Sequence, residues 1–178
     1  MTALPLALAA AGCGGNGPPG RWARPQVMKL GWHENCGTGK RPLPIATRRL
    51  VVGRRRWQVD LSFRNETGLT LEIVRPHAVG ETLFGLEPFE TTSRREVLAR
   101  AQSGGAKPRA FADRFTPSIP VILAPRKGWS GSFSGLGRVP AEVPIRVVLG
   151  RFVPTGVVPK GFFDGFLCVS ERFVRLQP

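Results

Sequence analysis

Cysteine and histidine are the side chains of this sequence with the most specific chemistry, because they bind metals, act as nucleophiles and form covalent links. The chain has three cysteines, Cys13, Cys36 and Cys168, and two histidines, His33 and His77. Two residues separate His33 from Cys36, a spacing that could hold a metal ion. A structural zinc site needs four such ligands, however, and the sequence has no second close pair. We therefore predict no metal site.

The remaining motifs do not predict catalysis. Residues 128–132 resemble the turn that carries a serine nucleophile, but Ser132 stands where that turn has its last glycine. Residues 37–40 lack the first glycine of a phosphate-binding loop, and Arg41 replaces the Ser or Thr that follows its lysine. We predict that the protein is not an enzyme and has no catalytic residue and no cofactor. An enzyme assembled from scattered loop residues is the alternative.

The first twenty residues carry no charged side chain, and residues 3–11 are rich in alanine and leucine. This run has the length of a signal-peptide apolar region and is much shorter than the roughly 20 apolar residues of a transmembrane helix. Residues 10–13, Ala-Ala-Gly-Cys, resemble the lipobox of bacterial lipoproteins, in which the signal peptide is removed and the cysteine receives a lipid. The resemblance implies a signal peptide over residues 1–12 and lipidation of Cys13. It also implies a membrane-anchored protein of the cell envelope that faces the periplasm or the exterior. The alternative is an uncharged N-terminal segment with a free cysteine.

Composition divides the rest of the chain into a tether and one domain. Residues 14–20 contain only glycine, proline and asparagine, a composition typical of a flexible linker. We predict that residues 13–47 form a flexible, basic and irregular segment and that residues 48–178 form one β-sandwich domain. About 165 residues remain after the leader, which is enough for a single domain with its own core.

The formal net charge of +14 is concentrated near the N-terminus. Residues 14–56 contain ten basic residues and one acidic residue, whereas residues 57–178 contain sixteen basic and eleven acidic residues. A basic segment beside a bilayer is attracted to anionic lipid, and the same charges bind polyanions without specificity. The alternative is a solvated surface without a ligand. We predict that a membrane surface or an envelope polymer is contacted by Arg48, Arg49, Arg54, Arg55 and Arg56. We predict no specific binding of nucleic acid.

The clearest secondary structure is a strand at residues 57–63. Apolar and polar residues alternate there, which is the pattern of a strand with one buried face. Residues 65–68 have the composition of a turn, and residues 69–73 alternate again. We therefore predict a β-hairpin.

Further strands and one short helix follow. We predict a strand near residues 82–86. We also predict a helix at 94–102, because Ser93 and Glu96 have capping-box spacing. The total of about seven to nine strands favours an antiparallel sandwich or barrel over a parallel α/β fold. The remaining predicted strands lie at residues 120–123, 129–134, 145–149, 162–169 and 173–176.

Four segments of this pattern resemble the small immunoglobulin-like domains of bacterial secreted proteins and lipoproteins. The resemblance covers residues 48–176 and implies an antiparallel, immunoglobulin-like β-sandwich. It implies no activity, because one fold serves many functions. The segments that carry it are residues 63–68, 121–125, 129–131 and 145–148.

Cys36 and Cys168 remain as a pair if Cys13 is lipidated. A disulfide between them would persist in an oxidising compartment. Cys168 is in phase with Phe166, so we expect it to point into the core. The alternative is a buried Cys168 that acts as a small hydrophobe, with an exposed and unpaired Cys36.

Together these features predict a non-enzymatic, lipid-anchored β-sandwich of the bacterial cell envelope with a binding or structural role. Its partners would be the membrane, through the N-terminal lipid, and an anionic lipid, an envelope polymer or another envelope protein. The alternative is a soluble or secreted β protein that binds polyanions through residues 21–56. Trp22 and Trp32 lie within this basic segment, and an indole suits an interfacial contact because it is amphipathic. Packing at the edge of the sandwich is the alternative for Trp32.

Overall fold

The computed structural model describes residues 21–37, 42–74, 83–88, 95–96, 110–159 and 165–178, which form two antiparallel sheets around a shared apolar core. This confirms the predicted antiparallel β-sandwich. Five of the described strands have only two or three residues, too few to show alternation, so the structure has more strands than the sequence predicts. The strands are β1 (Gln26–Cys36), β2 (Leu43–Val52), β3 (Arg56–Arg64), β4 (Leu71–Ile73), β5 (Phe84–Pro88), β6 (Ala110–Phe111), β7 (Arg114–Thr116), β8 (Ile122–Leu123), β9 (Gly128–Leu136), β10 (Pro144–Pro154), β11 (Phe166–Val169) and β12 (Val174–Arg175).

The first sheet has the strand order β1-β2-β3-β9-β7. The second sheet has the order β6-β5-β10-β4-β8, and β11 and β12 also pair with β10. β10 is the centre of the second sheet because β5 and β4 follow one another along one of its edges and β12 and β11 along the other.

β3 shows why the alternating pattern produces a strand at the centre of the first sheet. Its apolar residues are buried, and aromatic contacts join them to the facing sheet and to the neighbouring strand β9. Phe63 lies edge-on to Phe152 of β10, with 5.5 Å between ring centroids, and Trp57 lies edge-on to Phe133 of β9 at 5.9 Å. Aromatic pairs in this arrangement contribute about 1 kcal/mol each beyond their buried area.

The predicted hairpin between residues 57–63 and 69–73 is wrong. β3 pairs with β2 and β9 in the first sheet, whereas β4 pairs with β8 and β10 in the second. The segment between them crosses from one sheet to the other around the buried Asn65. Its Nδ2 donates to the carbonyls of Leu69 at 2.7 Å and Leu123 at 2.9 Å, and its Oδ1 accepts from the amide of Thr67 at 3.1 Å. These bonds satisfy backbone groups of Thr67, Leu69 and Leu123 and hold the crossing segment against β8.

The predicted irregular character of residues 13–47 is also wrong over the part that the structure describes, because β1 and most of β2 lie there. The two strands pair along most of their length, with a bulge between Lys29 and Trp32 where Gly31 has a φ of 60°. The alternation in β1 is obscured in the sequence because the inner face includes the charged Glu34 and the outer face includes the apolar Val27. Trp32 is buried on this inner face.

The predicted helix at 94–102 lies outside the described residues except for Arg95 and Glu96, which are helical. The predicted strand near 82–86 corresponds to β5. Strands predicted in the C-terminal third correspond to β8, β9, β10, β11 and β12, although residues 160–164 lie outside the described part.

Candidate functional site

The described chain begins at one end of the sandwich, beside the loop that connects β9 to β10. The amide of Ala23 donates to the carbonyl of Val139 at 2.9 Å, and the amide of Ala141 donates to the carbonyl of Arg21 at 2.8 Å. The amide of Arg24 donates to the carbonyl of Gln177 at 3.1 Å. These bonds fix Arg21 and its neighbours at this end of the sandwich.

The turn between β2 and β3 lies at the same end. The amide of Gly53 donates to the carbonyl of Arg56 at 2.8 Å and closes the turn, and the amide of Gly137 donates to the carbonyl of Arg55 at 2.9 Å. Arg138 follows Gly137, and its Cζ lies 5.1 Å from the centroid of the Trp22 ring, within cation–π distance. Segments that are more than a hundred residues apart in sequence therefore meet here.

We call this surface the basic end. Its arginines are exposed, and so are two of its apolar side chains, Trp22 at 46% and Leu136 at 65%. Within the described residues, none of its arginines lies within ion-pair distance of a carboxylate, and Glu142 is a nearby exposed acidic residue. The surface consists of Arg21, Trp22, Arg24, Arg54, Arg55, Leu136 and Arg138.

The structure divides the five predicted arginines between two places. Arg54 and Arg55 lie in the basic end. The other three lie on the outward face of the first sheet, where each has a partner. Arg48 donates to Ser62 at 3.2 Å, the Nε of Arg49 lies 2.6 Å from the carboxylate of Asp60, and Arg56 lies 3.2 Å from the carboxylate of Asp113.

Sequence reasoning missed Arg138 and Leu136 in this surface. No local pattern identifies them, because they join Arg54 and Arg55 only through the pairing of β3 with β9. Trp22 lies in the basic segment that the sequence shows, but its contact with Arg138 depends on the bridge between Trp22 and Pro140.

A groove lies on the outward face of the first sheet at the opposite end of β3. It is an open depression of about 610 Å³ between the ends of β1, β2, β3 and β9. Since β3 has nine residues and a strand rises about 3.3 Å per residue, the groove lies about 25 Å from the basic end. The polar side chains that line it include His33, Asn35, Arg64, Glu66, Arg126 and Ser130.

Cys36 and Cys168, the predicted pair, are joined by a disulfide between β1 of the first sheet and β11 of the second, with their Cα atoms 5.6 Å apart. Both cysteines are buried. Beside them the buried Glu34 accepts a hydrogen bond from the amide of Glu171 at 3.2 Å. Loss of water by burial raises the pKa of Glu34, and the nearby charge of Glu171 adds to this effect.

Cys13 and His77 lie outside the described residues. In the part of the chain that the structure describes, no group of three or more His, Cys, Asp or Glu residues could hold a metal ion. Among the same residues, no helix has the length and apolar character needed to span a bilayer.

Comparison of the chain with models of protein families, with curated proteins and with solved structures finds no match in any of the three.

Proposed function

We propose that this protein is a non-enzymatic, lipid-anchored β-sandwich of the bacterial cell envelope, with a lipid on Cys13. The observation that carries the proposal is the position of Arg21, which begins the described chain in the basic end, eight residues after Cys13. Eight residues span at most about 28 Å, so a lipid on Cys13 would hold the basic end near the bilayer. Anionic lipids attract a nearby arginine with about 1 kcal/mol, so the anchor and the charge would act together.

The disulfide supports the same location. A bond between Cys36 and Cys168 persists in an oxidising compartment such as the periplasm or the exterior, and thiols are kept reduced in the cytosol. The pair also leaves Cys13 as the remaining one of three cysteines.

The role of the domain in this proposal is binding or structural. The groove lies at the end of the first sheet away from the tether, where another envelope protein or polymer could reach it. Small immunoglobulin-like domains use loops and sheet faces on a rigid sandwich for such contacts, and we extend that resemblance to this chain as part of the proposal.

Intact mass spectrometry of the protein purified from membranes of its native host tests the proposal, with a Cys13→Ala variant as the control. We expect a mature chain that begins at Cys13 and carries the mass of a diacylglycerol group. The variant should lack this mass and leave the membrane fraction. An unprocessed chain without lipid, recovered from the soluble fraction, would overturn the proposal.

The second candidate is a soluble or secreted protein that binds polyanions through residues 21–56. The exposure of Arg21, Arg24, Arg54 and Arg55 favours it, because these charges are accessible to any anion. It predicts no lipid on Cys13 and retention on a polyanion column that is lost as salt rises. The mass measurement therefore separates the two candidates.

A further inference from the structure

We propose that the basic end is a docking surface for a membrane that contains anionic phospholipid, so that the sandwich stands with its groove directed away from the bilayer. The inference rests on the proposed function for the direction of the tether. It adds the surface that contacts lipid and the orientation of the domain, neither of which follows from an anchor alone.

The first argument is the place where the tether joins the domain. Hydrogen bonds from Ala23 to Val139 and from Ala141 to Arg21 fix Arg21 at the basic end. If the groove end faced the bilayer, the tether would have to run back along about 25 Å of β3. That distance would use nearly all of the roughly 28 Å that eight residues can span.

The second argument is charge. The basic end has five exposed arginines, and one exposed acidic residue of the described chain, Glu142, lies beside them. At the groove end, the exposed Arg64, Arg126 and Lys127 lie near Glu66, which leaves fewer basic residues than at the basic end. On the outward face between the two ends, Arg49 is paired with Asp60. Charge complementarity with an anionic surface is therefore greatest at the basic end.

The third argument is the apolar component. Trp22 and Leu136 are exposed beside the arginines, and Val27, 60% exposed on β1, lies near the same turn because it pairs with Val51. An indole is stable at the depth of lipid headgroups because its ring is apolar and its N–H is polar. Arginine also extends an apolar stem while its guanidinium stays hydrated. This combination of side chains fits a lipid interface better than a free polyanion in water, which offers charge without an apolar layer.

Trp22 provides a natural reporter for the test. Trp32, Trp57 and Trp129 are buried, so Trp22 is the exposed indole among the four tryptophans of the chain. The full chain with Cys13→Ala, which cannot receive the lipid, is mixed with vesicles of phosphatidylcholine containing phosphatidylglycerol, and with vesicles of phosphatidylcholine alone. Binding is measured by sedimentation, and access to Trp22 is measured by acrylamide quenching. A Trp22→Phe variant assigns the quenching signal.

Two pairs of substitutions with the same change in charge locate the contact. Arg54→Gln with Arg55→Gln removes two charges from the basic end, and Arg64→Gln with Lys127→Gln removes two exposed charges from the groove end. We expect the first pair to weaken binding to the anionic vesicles by roughly 30-fold, the factor for two arginines near an anionic surface. The second pair should weaken it by less than about threefold, as expected for charges held more than a Debye length from the lipid. Residues 1–12 are the same in every variant, so the difference between the pairs does not depend on them.

Protection of Trp22 from acrylamide on the anionic vesicles, together with selective loss in the first pair, would support the proposal. Equal loss in the two pairs, equal binding to neutral vesicles, or a Trp22 that stays accessible on bound protein would overturn it. Absence of binding would overturn it as well. Because the experiment uses a chain without lipid, its failure is distinct from a failure to find lipid on Cys13.

Discussion

The outward faces of the two sheets each carry an arginine–carboxylate ion pair, and the two pairs differ in solvent exposure. On the first sheet, Arg49 and Asp60 lie on neighbouring strands 2.6 Å apart, and 49% of the arginine side chain is exposed. On the second sheet, Arg146 and Glu87 are also cross-strand neighbours, 2.8 Å apart, but 1% of that arginine side chain is exposed. Arg146 stands between the core residues Ile145 and Val147, and Arg49 precedes the core residue Leu50, so both arginines point away from the centre of the sandwich.

The difference lies in access to solvent: the pair on the first sheet is open to water, and the pair on the second sheet is closed to it. Water screens the pair of Arg49 and Asp60, so the charges contribute little to folding and stay accessible. Around Arg146 water is excluded, and Val148 beside it packs against Val169 in a small cluster of its own. The charges of Arg49 and Asp60 are therefore accessible to a partner, whereas those of Arg146 and Glu87 are not.

The largest effect should come from the bond that joins the two sheets. Cys36→Ser combined with Cys168→Ser opens a link between residues 132 positions apart. The entropy of the unfolded chain then rises, and we expect a loss of about 5 kcal/mol in the free energy of unfolding. Urea unfolding measures it, and the wild-type protein in reductant is the control. A variant that matches the oxidised wild type within about 1 kcal/mol would contradict a stabilising disulfide.

The comparison of the two ion pairs is tested directly by removing one charge from each. Glu87→Gln removes the carboxylate that Arg146 contacts at 2.8 Å in a buried site, and we expect a loss of about 3–5 kcal/mol. Asp60→Asn makes the matched change at Arg49 and should cost at most about 1 kcal/mol. Thermal and urea unfolding of the two variants give the numbers. Similar losses in both would mean that the two faces do not differ in solvation.

A substitution at Asn65 tests whether the segment that connects the first sheet to the second depends on the hydrogen bonds of this side chain. Asn65→Ala leaves the carbonyl of Leu123 and the amide of Thr67 without their side-chain partner. Each buried polar group that loses its bond costs about 1–3 kcal/mol, so we expect a loss of about 3 kcal/mol. Glu66→Ala, at the exposed neighbour, should change the free energy of unfolding by less than about 0.5 kcal/mol. A loss equally small for Asn65→Ala would show that the crossover does not depend on this side chain.

The same residue shows where sequence reasoning reaches its limit. The alternation of residues 57–63 predicts a strand and its buried face correctly, because that signal is local. The pairing partner is not local: the turn composition of residues 65–68 fits a hairpin and an arch equally well. The choice depends on what Asn65 reaches, and one of its partners is Leu123, 58 positions away.

The candidate surfaces also combine local signals, which the sequence shows, with non-local contacts, which it does not show. A run of arginines at residues 54–56 is visible in the sequence, and two of the three lie in the basic end. Arg56 is not part of the basic end, because it is paired with Asp113, and Arg138 is part of it. Both facts depend on which strands become neighbours. The groove cannot be found in the sequence, since its lining comes from the ends of four strands.

The smallest effect concerns Glu34, which points into the sandwich from the first sheet. Its titration shows whether water is excluded there as it is around Arg146. Burial raises the pKa of Glu34 above its ordinary value of 4.5, so the folded protein holds this proton more tightly than the unfolded chain does. At lower pH both states are protonated and the residue costs nothing. As the pH rises from about 4.5 through the raised pKa, the unfolded chain is ionised first, and the folded state loses stability relative to it.

Glu34→Gln removes this dependence while it keeps the size of the side chain. We therefore expect the free energy of unfolding of the variant to decrease less than that of the wild type as the pH is raised above 4.5. Urea unfolding over a series of pH values measures the difference, and Glu66→Gln, an exposed residue of the same groove, is the control. If the variant and the wild type changed in parallel, Glu34 would be hydrated. The inner face of the first sheet beside the disulfide would then be open to water, unlike the buried surroundings of Arg146 on the second sheet.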